Sequence, residues 1–458
     1  MNKLRYLIAL WAAKLSVVAL KITRHNGTNF PGVVALKICP DFLKYVQKPE
    51  TIIGVTGTNG KTTVCNLAID MFKADGRLVL DNNMGSNINS GISTSFINGV
   101  NIFGKCKYDT ALIEIDERSA PLLFPYMKPK VLLINNLTRD SIMRNGHPEY
   151  IGKILTEEMP PQTRLLLNGD DLIASNIAPE NSRKYFGIEK MDTDVTECIN
   201  LINDMRICPK CNGILEYEYL RYHHIGKAVC PHCGFKSPEY DYAGFDVDTD
   251  KMTIKVKDKT GQYQFRLLND SVFNIYNVVA VIALFREIGY SFEKIAELLQ
   301  QIEIVKSRFS EKETSGYTIV RQMSKDKNAL GASRAFDYVS GRPGDKELIL
   351  MMNCLGDTKH WSENICWLYD ADFEFLNREN IKNIIVTGPR AKDYYLRLKL
   401  AGIEDEKISF VEKELDAPKA LKLCRGESIY VFYGTDSIVL GNNVVKNIEK
   451  EIAERGEK

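Results

Sequence analysis

The segment "GVTGTNGKTTVCN", Gly54 to Asn66, constrains this chain more than any other. It leaves the apolar stretch "TII" and enters "KTTVCNLAIDMFKADG", whose apolar positions recur at helical spacing, so it reads as strand, glycine loop and helix in succession. Gly57 and Gly60 let the loop curl with its N–H groups inward, Lys61 sets a positive charge beside them, and Thr62 offers a hydroxyl to Mg2+. With the partial charge of the helix N-terminus, these groups make a phosphate cradle. The general phosphate-loop pattern would place its first glycine at Val55, so the competing reading is a glycine-rich strand-to-helix turn.

"RLVLDNN", "TALIEID", "KVLLINN" and "TRLLLNGDD" repeat one theme, an apolar run ending in polar or acidic residues. Strands of a parallel sheet have this form when their carboxyl ends open on a ligand crevice. "DVDTDKMTIKVKDKTGQYQFRLL" predicts a hairpin turning near Gly261, and "SVFNIYNVVAVIALFREIG" a helix capped at Gly289. Beyond Ser307 a second series begins with "YTIVRQMS", "ELILMMN", "IKNIIVTG" and "SIYVFYG", and "KNIEKEIAERGEK" predicts a solvated terminal helix. A chain of 458 residues needs more than one core. The expected architecture is α/β: an N-terminal helical segment (1–50), a parallel-sheet domain carrying the phosphate loop (51–306) with a cysteine-bearing ribbon inserted at 206–236, and a C-terminal α/β domain (307–458).

In the insert, Cys208, Cys211, Cys230 and Cys233 form two pairs at metal-ligand spacing, which suits a closed, structural tetrahedral Zn2+ site. His223, His224 and His232 beside them read as solvated or core histidines. Sixty basic against fifty-nine acidic residues give no global attraction to polyanions. The cysteine pattern favours a reducing cytoplasm over secretion. The N-terminal apolar run Tyr6–Ala13 is broken by Lys14, far short of the roughly 20 residues that span a bilayer. A helix packed on the protein is the favoured reading there, and one lying at a membrane surface the alternative. In "ALIEIDERS", Glu114 and Asp116 fall on one strand face, where Mg2+ or its water would find oxygen ligands, with Glu117 opposed or already in the loop.

The order of "GTNGKTT", "IEIDE", "NNLTRD", "LLLNGDD", "FNIYN" and "SRF" resembles that of the Mur ligases. Within them, the cysteine insert after "NGDD" together with "WLYDADFE" and "TGPRAKDYYLRLKLAG" resembles the MurT proteins, synthetase subunits of lipid II isoglutaminyl synthase. The resemblance implies ATP-dependent activation of the D-glutamate α-carboxyl in the lipid II stem peptide. Ammonia from a GatD-like glutaminase partner then yields D-isoglutamine at the inner face of the cell membrane. It assigns phosphate binding to the backbone of Gly57, Thr58, Asn59, Gly60, Lys61, Thr62 and Thr63, Mg2+ to Thr62 and Glu114, and the adenine side to Asn274 and Asn277. Arg308 and Lys325 match positions that bring charge to the γ-phosphate.

The chain departs from the family at three places. Ser141 stands where Mur ligases carry a histidine, with Asp140 beside it. Asp326, Lys327 and Ala329 replace a Lys-Asn-Pro and glycine pattern. Where MurT proteins carry an aspartate that completes the glutaminase Cys-His pair, this chain has Asn364, with Asp357 and Glu363 as the nearby acids. Two rival readings are a ligase of the same scaffold that joins an amino acid, and a nucleotide-binding module whose ribbon binds nucleic acid. No nucleic-acid partner is expected, because ribbon cations are offset by acids there.

Overall fold

The apolar runs of the first half are buried on both faces, as parallel strands covered by helices must be. A computed structural model describes residues 2–25, 27–83, 86–139, 147–302, 309–323, 328–352, 365–424, 426–434 and 437–456. The chain divides into two compact units, one built from 1–138, 148–199 and 203–303, the other from 304–458 with the short pieces 139–147 and 200–202.

Among the described residues, the first unit carries β1 (Thr51–Thr56), β2 (Leu80–Asp81), β3 (Thr110–Glu114), β4 (Val131–Ile134), β5 (Arg164–Asn168), β6 (Arg183–Ile188), β7 (Glu216–Tyr222), β8 (Ile225–Val229), β9 (Tyr242–Asp248), β10 (Thr253–Asp258) and β11 (Gly261–Arg266). Nine of them form one sheet in the order β11-β10-β9-β6-β5-β4-β1-β3-β2, parallel from β2 to β9 and antiparallel from β9 to β11. β1 lies between β3 and β4, so chain order reverses across it, and a ligand crevice opens at such a point. The hairpin expected at Gly261 is present, and β9 extends it to a three-stranded meander. "RLVLDNN" contributes only the two residues of β2.

Helices α1 (Asn2–Ile22), α2 (Phe30–Ile38), α3 (Phe42–Tyr45), α4 (Lys61–Ala74) and α5 (Asn89–Gly99) follow one another in the first hundred residues. Tyr6, Ala9, Leu10 and Ala13 bury one face of α1 in the same core as β3 and β4, so that helix packs on the protein. The helix Val272–Glu287 is apolar nearly all round and correspondingly buried, with the Phe285 ring tilted against Phe72 of α4 at 4.9 Å between centroids. It ends as its sequence requires, with Gly289 at φ +98° beyond the last turn.

In the second unit β12 (Phe309–Thr314), β13 (Tyr317–Met323), β14 (Lys346–Met351), β15 (Ile381–Thr387), β16 (Ile408–Val411) and β17 (Ser428–Tyr433) form a sheet ordered β12-β13-β17-β14-β15-β16, parallel except for β12. The terminal helix is longer than its charged tail suggested, Ile438–Gly456, and is not merely solvated. Val444, Val445, Ile448 and Ile452 recur at helical spacing and bury a face against β17 and its neighbours. "WLYDADFE" is pinned from within this unit. Buried Arg397 donates to Leu368 O at 2.9 Å, Ala371 O at 2.8 Å and Glu374 at 2.7 Å, while Asp372 accepts from Asn200 and the Leu201 amide at 2.8 and 2.6 Å.

The ribbon hairpin β7–β8 is tied to the nine-stranded sheet by a buried ion cluster. Arg221 of β7 donates to Asp194 at 2.7 Å and to Asp170, just beyond β5, at 3.3 Å. Asp170 also accepts from the Ile188 amide at 3.1 Å, from Tyr276 at 2.5 Å and from Tyr240. Burial opposes the charge on Arg221, but Tyr276, Asp194 and Asp170 outweigh it and hold the guanidinium firmly protonated. Arg221→Ala leaves two buried carboxylates without their cation. It is expected to lower the unfolding free energy by about 3–5 kcal/mol in a denaturant titration, while Lys227→Ala on the same hairpin, a pairing with the exposed Glu239, costs less than about 1 kcal/mol.

Candidate functional site

The loop between β1 and α4 owes its shape to two glycines in the left-handed region. Gly57 has φ +128° and Gly60 φ +85°. A Cβ on Gly57 would lie 2.9 Å from Asn136 O, and one on Gly60 2.3 Å from Asn277 Oδ1, so both positions are closed to any side chain. Asparagines then lock the curl from below. Asn59 N–H donates to Asn136 Oδ1 at 3.0 Å, and the amides of Asn135 and Asn136 both donate to Asn59 O, at 3.0 and 2.9 Å. Asn135 also donates to Asn277 Oδ1 at 2.8 Å, and Asn168 to Asn135 O at 3.0 Å. The ends of β1, β4 and β5 and the helix Val272–Glu287 therefore meet under one turn.

Above that turn the donors are left open. The first intrahelical bond of α4 is Val64 N–H to Gly60 O at 2.9 Å, and no side chain caps the helix, so the N–H groups of Lys61, Thr62 and Thr63 point out of its N-terminus without intrahelical acceptors. Lys61 bends back over the loop, donating to Gly57 O and to Glu117 Oε1, the latter at 2.9 Å. The same carboxylate oxygen accepts the Gly57 N–H at 3.0 Å. Burial works against the ammonium of Lys61, but Glu117, Glu114 and Asp116 overcome it and hold its pKa above the ordinary lysine value. The cation is therefore present throughout the neutral and mildly alkaline range.

Thr62 Oγ1 lies 3.2 Å from Glu114 Oε1, which Asn87 Nδ2 also contacts at 2.9 Å, while Asn82 brackets the Glu114 backbone. A hydroxyl and a carboxylate so placed suit a hard cation such as Mg2+. Asp116 has another task, capping the turn that follows β3 by accepting the Arg118 amide at 3.1 Å. The acid that faces the loop is Glu117, which lies beyond the end of β3, in the loop as one of its two readings had it. Its signal was the turn at the end of β3, which breaks the alternation. Asn277 braces Gly60 from beneath, and Asn274, one turn earlier, donates to Ser271 Oγ at 2.8 Å. Arg308, Lys325, Asp357, Glu363 and Asn364, with Asp140, Ser141, Asp326 and Lys327, lie outside the described residues.

The four ribbon cysteines converge, their sulfurs all within 4.8 Å of one another. Cys208–Cys233 and Cys211–Cys230 stand at 3.6 and 3.5 Å. Those separations are near the edge of about 3.8 Å of a tetrahedron with Zn–S of about 2.3 Å. Matching turns present each pair: Cys208 N–H donates to Gly213 O, Cys230 N–H to Phe235 O, and Asn212 and Gly234 both adopt positive φ. His224 is wholly buried, its Nε2 3.2 Å from Asp171, and stands apart from the sulfurs as a core histidine. Chelation, or Cys208→Ser, is expected to release one Zn2+ per chain in a metal assay and to lower the melting temperature. A purified chain that holds no zinc under reducing conditions, with unchanged melting after chelation, contradicts this assignment.

With the geometry in place, the chain can be set beside known proteins. The family model "MurT ligase C-terminal" matches residues 326–435. The chain is 31% identical over 408 residues to the "Lipid II isoglutaminyl synthase (glutamine-hydrolyzing) subunit MurT" of Staphylococcus aureus (strain COL), covering 88% of this chain and 89% of that protein. The protein of the same name from Streptococcus pneumoniae is 29% identical, covering 84% of each. Among solved structures, a pseudomurein peptide ligase type C from Methanothermus fervidus superposes with a TM-score of 0.65 at 21% identity, over 89% of this chain and 81% of that one. A MurF ligase from Thermotoga maritima, solved with ADP, gives 0.58 at 16%, over 92% and 85%. The solved structures establish the Mur ligase fold, and the curated relatives establish that the chain belongs to the MurT family.

Proposed function

We propose that this protein is the ATP-dependent synthetase subunit that amidates the α-carboxyl of D-glutamate in the lipid II stem peptide, with ammonia delivered by a GatD-like glutaminase. Its family makes it a ligase forming amide bonds in peptidoglycan synthesis. The observation that carries the reading is Glu117 Oε1 resting where the Gly57 N–H and the Lys61 ammonium converge, beside three open helix N–H groups. An arrangement that holds one oxyanion from its own chain is built for the oxyanions of a nucleotide.

In this reading the loop backbone from Gly57 to Thr63 and Lys61 hold the outer phosphates, and Thr62 and Glu114 hold Mg2+, which neutralises phosphate charge when bound. Asn274 and Asn277 face the adenine side, and Asn277 also keeps the loop in register through Asn135. An α-carboxylate oxygen attacks the γ-phosphorus as the bond to ADP breaks, giving an acyl phosphate. Ammonia then attacks the carbonyl carbon, phosphate departs with the bonding pair, and one ammonia proton is lost to solvent. The activation replaces oxide, a poor leaving group, with phosphate. Cys208, Cys211, Cys230 and Cys233 hold a structural Zn2+. The lipid-linked substrate places the reaction at the cytoplasmic face of the membrane.

The ribbon's own contacts weigh against nucleic-acid binding. Arg221 is buried in the ion cluster, Lys227 and Lys236 pair with Glu239, and Tyr219 and Tyr222 are buried. Lys61→Ala is expected to lower ammonium-dependent phosphate release and amide formation on a lipid II-type stem peptide by at least about 100-fold, a loss typical of removing a charge from phosphoryl transfer. Undiminished turnover in that variant, or a wild-type chain that consumes an amino acid and ignores ammonium, overturns the proposal.

A further inference from the structure

The inner face of α1 is accounted for by the core, and its outer face is not. Leu4, Ile8, Trp11, Leu15, Val18 and Ile22 are all exposed, Leu15 by 70% and Ile22 by 77%. At 3.6 residues per turn these six positions fall in a sector about 80° wide, opposite buried Tyr6, Ala9 and Ala13. The stripe continues onto the loop after α5, where Ile102 and Phe103 are 58% and 79% exposed. Trp11 joins the two, its indole N–H donating to Ile102 O at 2.9 Å. A contiguous apolar band of this kind on a folded surface marks a place where something docks.

Charge identifies the occupant. Residues 1–40 contain six cations, Lys3, Arg5, Lys14, Lys21, Arg24 and Lys37, and no aspartate or glutamate. Lys3, Lys14 and Lys21 line one flank of the stripe. Lys14 is engaged by Ile97 O and Val100 O at 2.8 and 2.7 Å, while Lys3, Lys21 and the nearby Lys105 and Lys107 are exposed. The three-and-four spacing of the stripe would also suit a helical seam between two copies. Such a seam needs acids flanking it to answer the lysines, and α1 has none. No described helix is long and apolar enough to cross a membrane. We propose that the outer face of α1, with Ile102 and Phe103, docks this protein on the anionic surface of a lipid bilayer, the helix lying in the interface plane with its lysines toward the headgroups.

The proposed lipid-linked substrate gives this surface its use, but the stripe and its charge stand without that reading. The test is sedimentation of the full-length chain with phosphatidylglycerol–phosphatidylcholine vesicles and with phosphatidylcholine alone, for wild type, Leu15→Asp/Val18→Asp and Lys3→Glu/Lys21→Glu. All four substituted side chains are exposed, so the fold is expected to survive, as melting curves would verify. The wild type is expected to bind the anionic vesicles at least tenfold more tightly than the neutral ones, and each double variant to bind the anionic vesicles at least tenfold more weakly than wild type. Equal binding by wild type and Leu15→Asp/Val18→Asp overturns the proposal, as does a dimer that forms without vesicles and is abolished by that variant, which would make the stripe a seam between copies. Turnover of a lipid-free muropeptide is expected to be the same in all three proteins. Its absence from wild type would count against the proposed function, while vesicle binding would still decide the surface.

Discussion

A single carboxylate oxygen, Glu117 Oε1, organises the loop between β1 and α4. It takes one hydrogen bond from the loop backbone and one from the Lys61 ammonium, in a place where both donors are nearly out of water. Burial presses Lys61 toward its neutral form, and Glu117, with Glu114 and Asp116, outweighs it and keeps the positive charge beside the loop. The pair therefore keeps the loop charged, which in the proposed reading is preorganisation for phosphate. In the proposed reading, nucleotide binding exchanges one oxyanion for another on the same donors.

The loop depends in turn on elements that converge beneath it. Asn59 is held by residues at the end of β4, Asn135 reaches Asn277, and Asn277 follows Tyr276 on the helix Val272–Glu287. Tyr276 donates to Asp170, which also accepts from Arg221 of the ribbon hairpin. The cysteine-bearing insert thus joins the sheet through buried polar groups that meet the same helix as the phosphate loop. Partly satisfied networks of this kind are costly, which explains why Asp170 carries so many donors. The ribbon is tied into the first unit by these contacts, and a metal held by its four sulfurs would have no open position for chemistry.

Much of this was written in the sequence. The strand-to-helix transition at Gly57–Thr63 and the apolar runs ending in Asn or Asp gave the parallel sheet, because a parallel strand covered on both sides leaves little freedom in its pattern. The four cysteines were legible from spacing alone. Other features depend on tertiary geometry. Glu117 could be read as opposed on the strand or already in the loop, and only the turn after β3 shows that it reaches Lys61. Asn135 and Asn136 marked a strand end, but their roles needed the neighbouring loop to be in place. The terminal helix looked solvated because its charges outnumber its apolar residues, and only the spacing of Val444, Ile448 and Ile452 betrays the packed face. The outer stripe of α1 was hidden for the opposite reason, since inner and outer apolar residues merge into one run when read linearly.

The central claim is that the turn at Gly60, closed from below by Asn135 and Asn277, forms a receptor for nucleotide phosphate. Equilibrium binding of Mg-ATP to the full-length chain and to Gly60→Ala, by calorimetry, tests it most directly. A methyl group at this left-handed position would meet both amides, so the account predicts clear binding by wild type and at least tenfold weaker binding by the variant, with melting behaviour that shows both are folded. A folded wild-type chain that takes up no nucleotide, or a variant that binds as well as wild type, would contradict it.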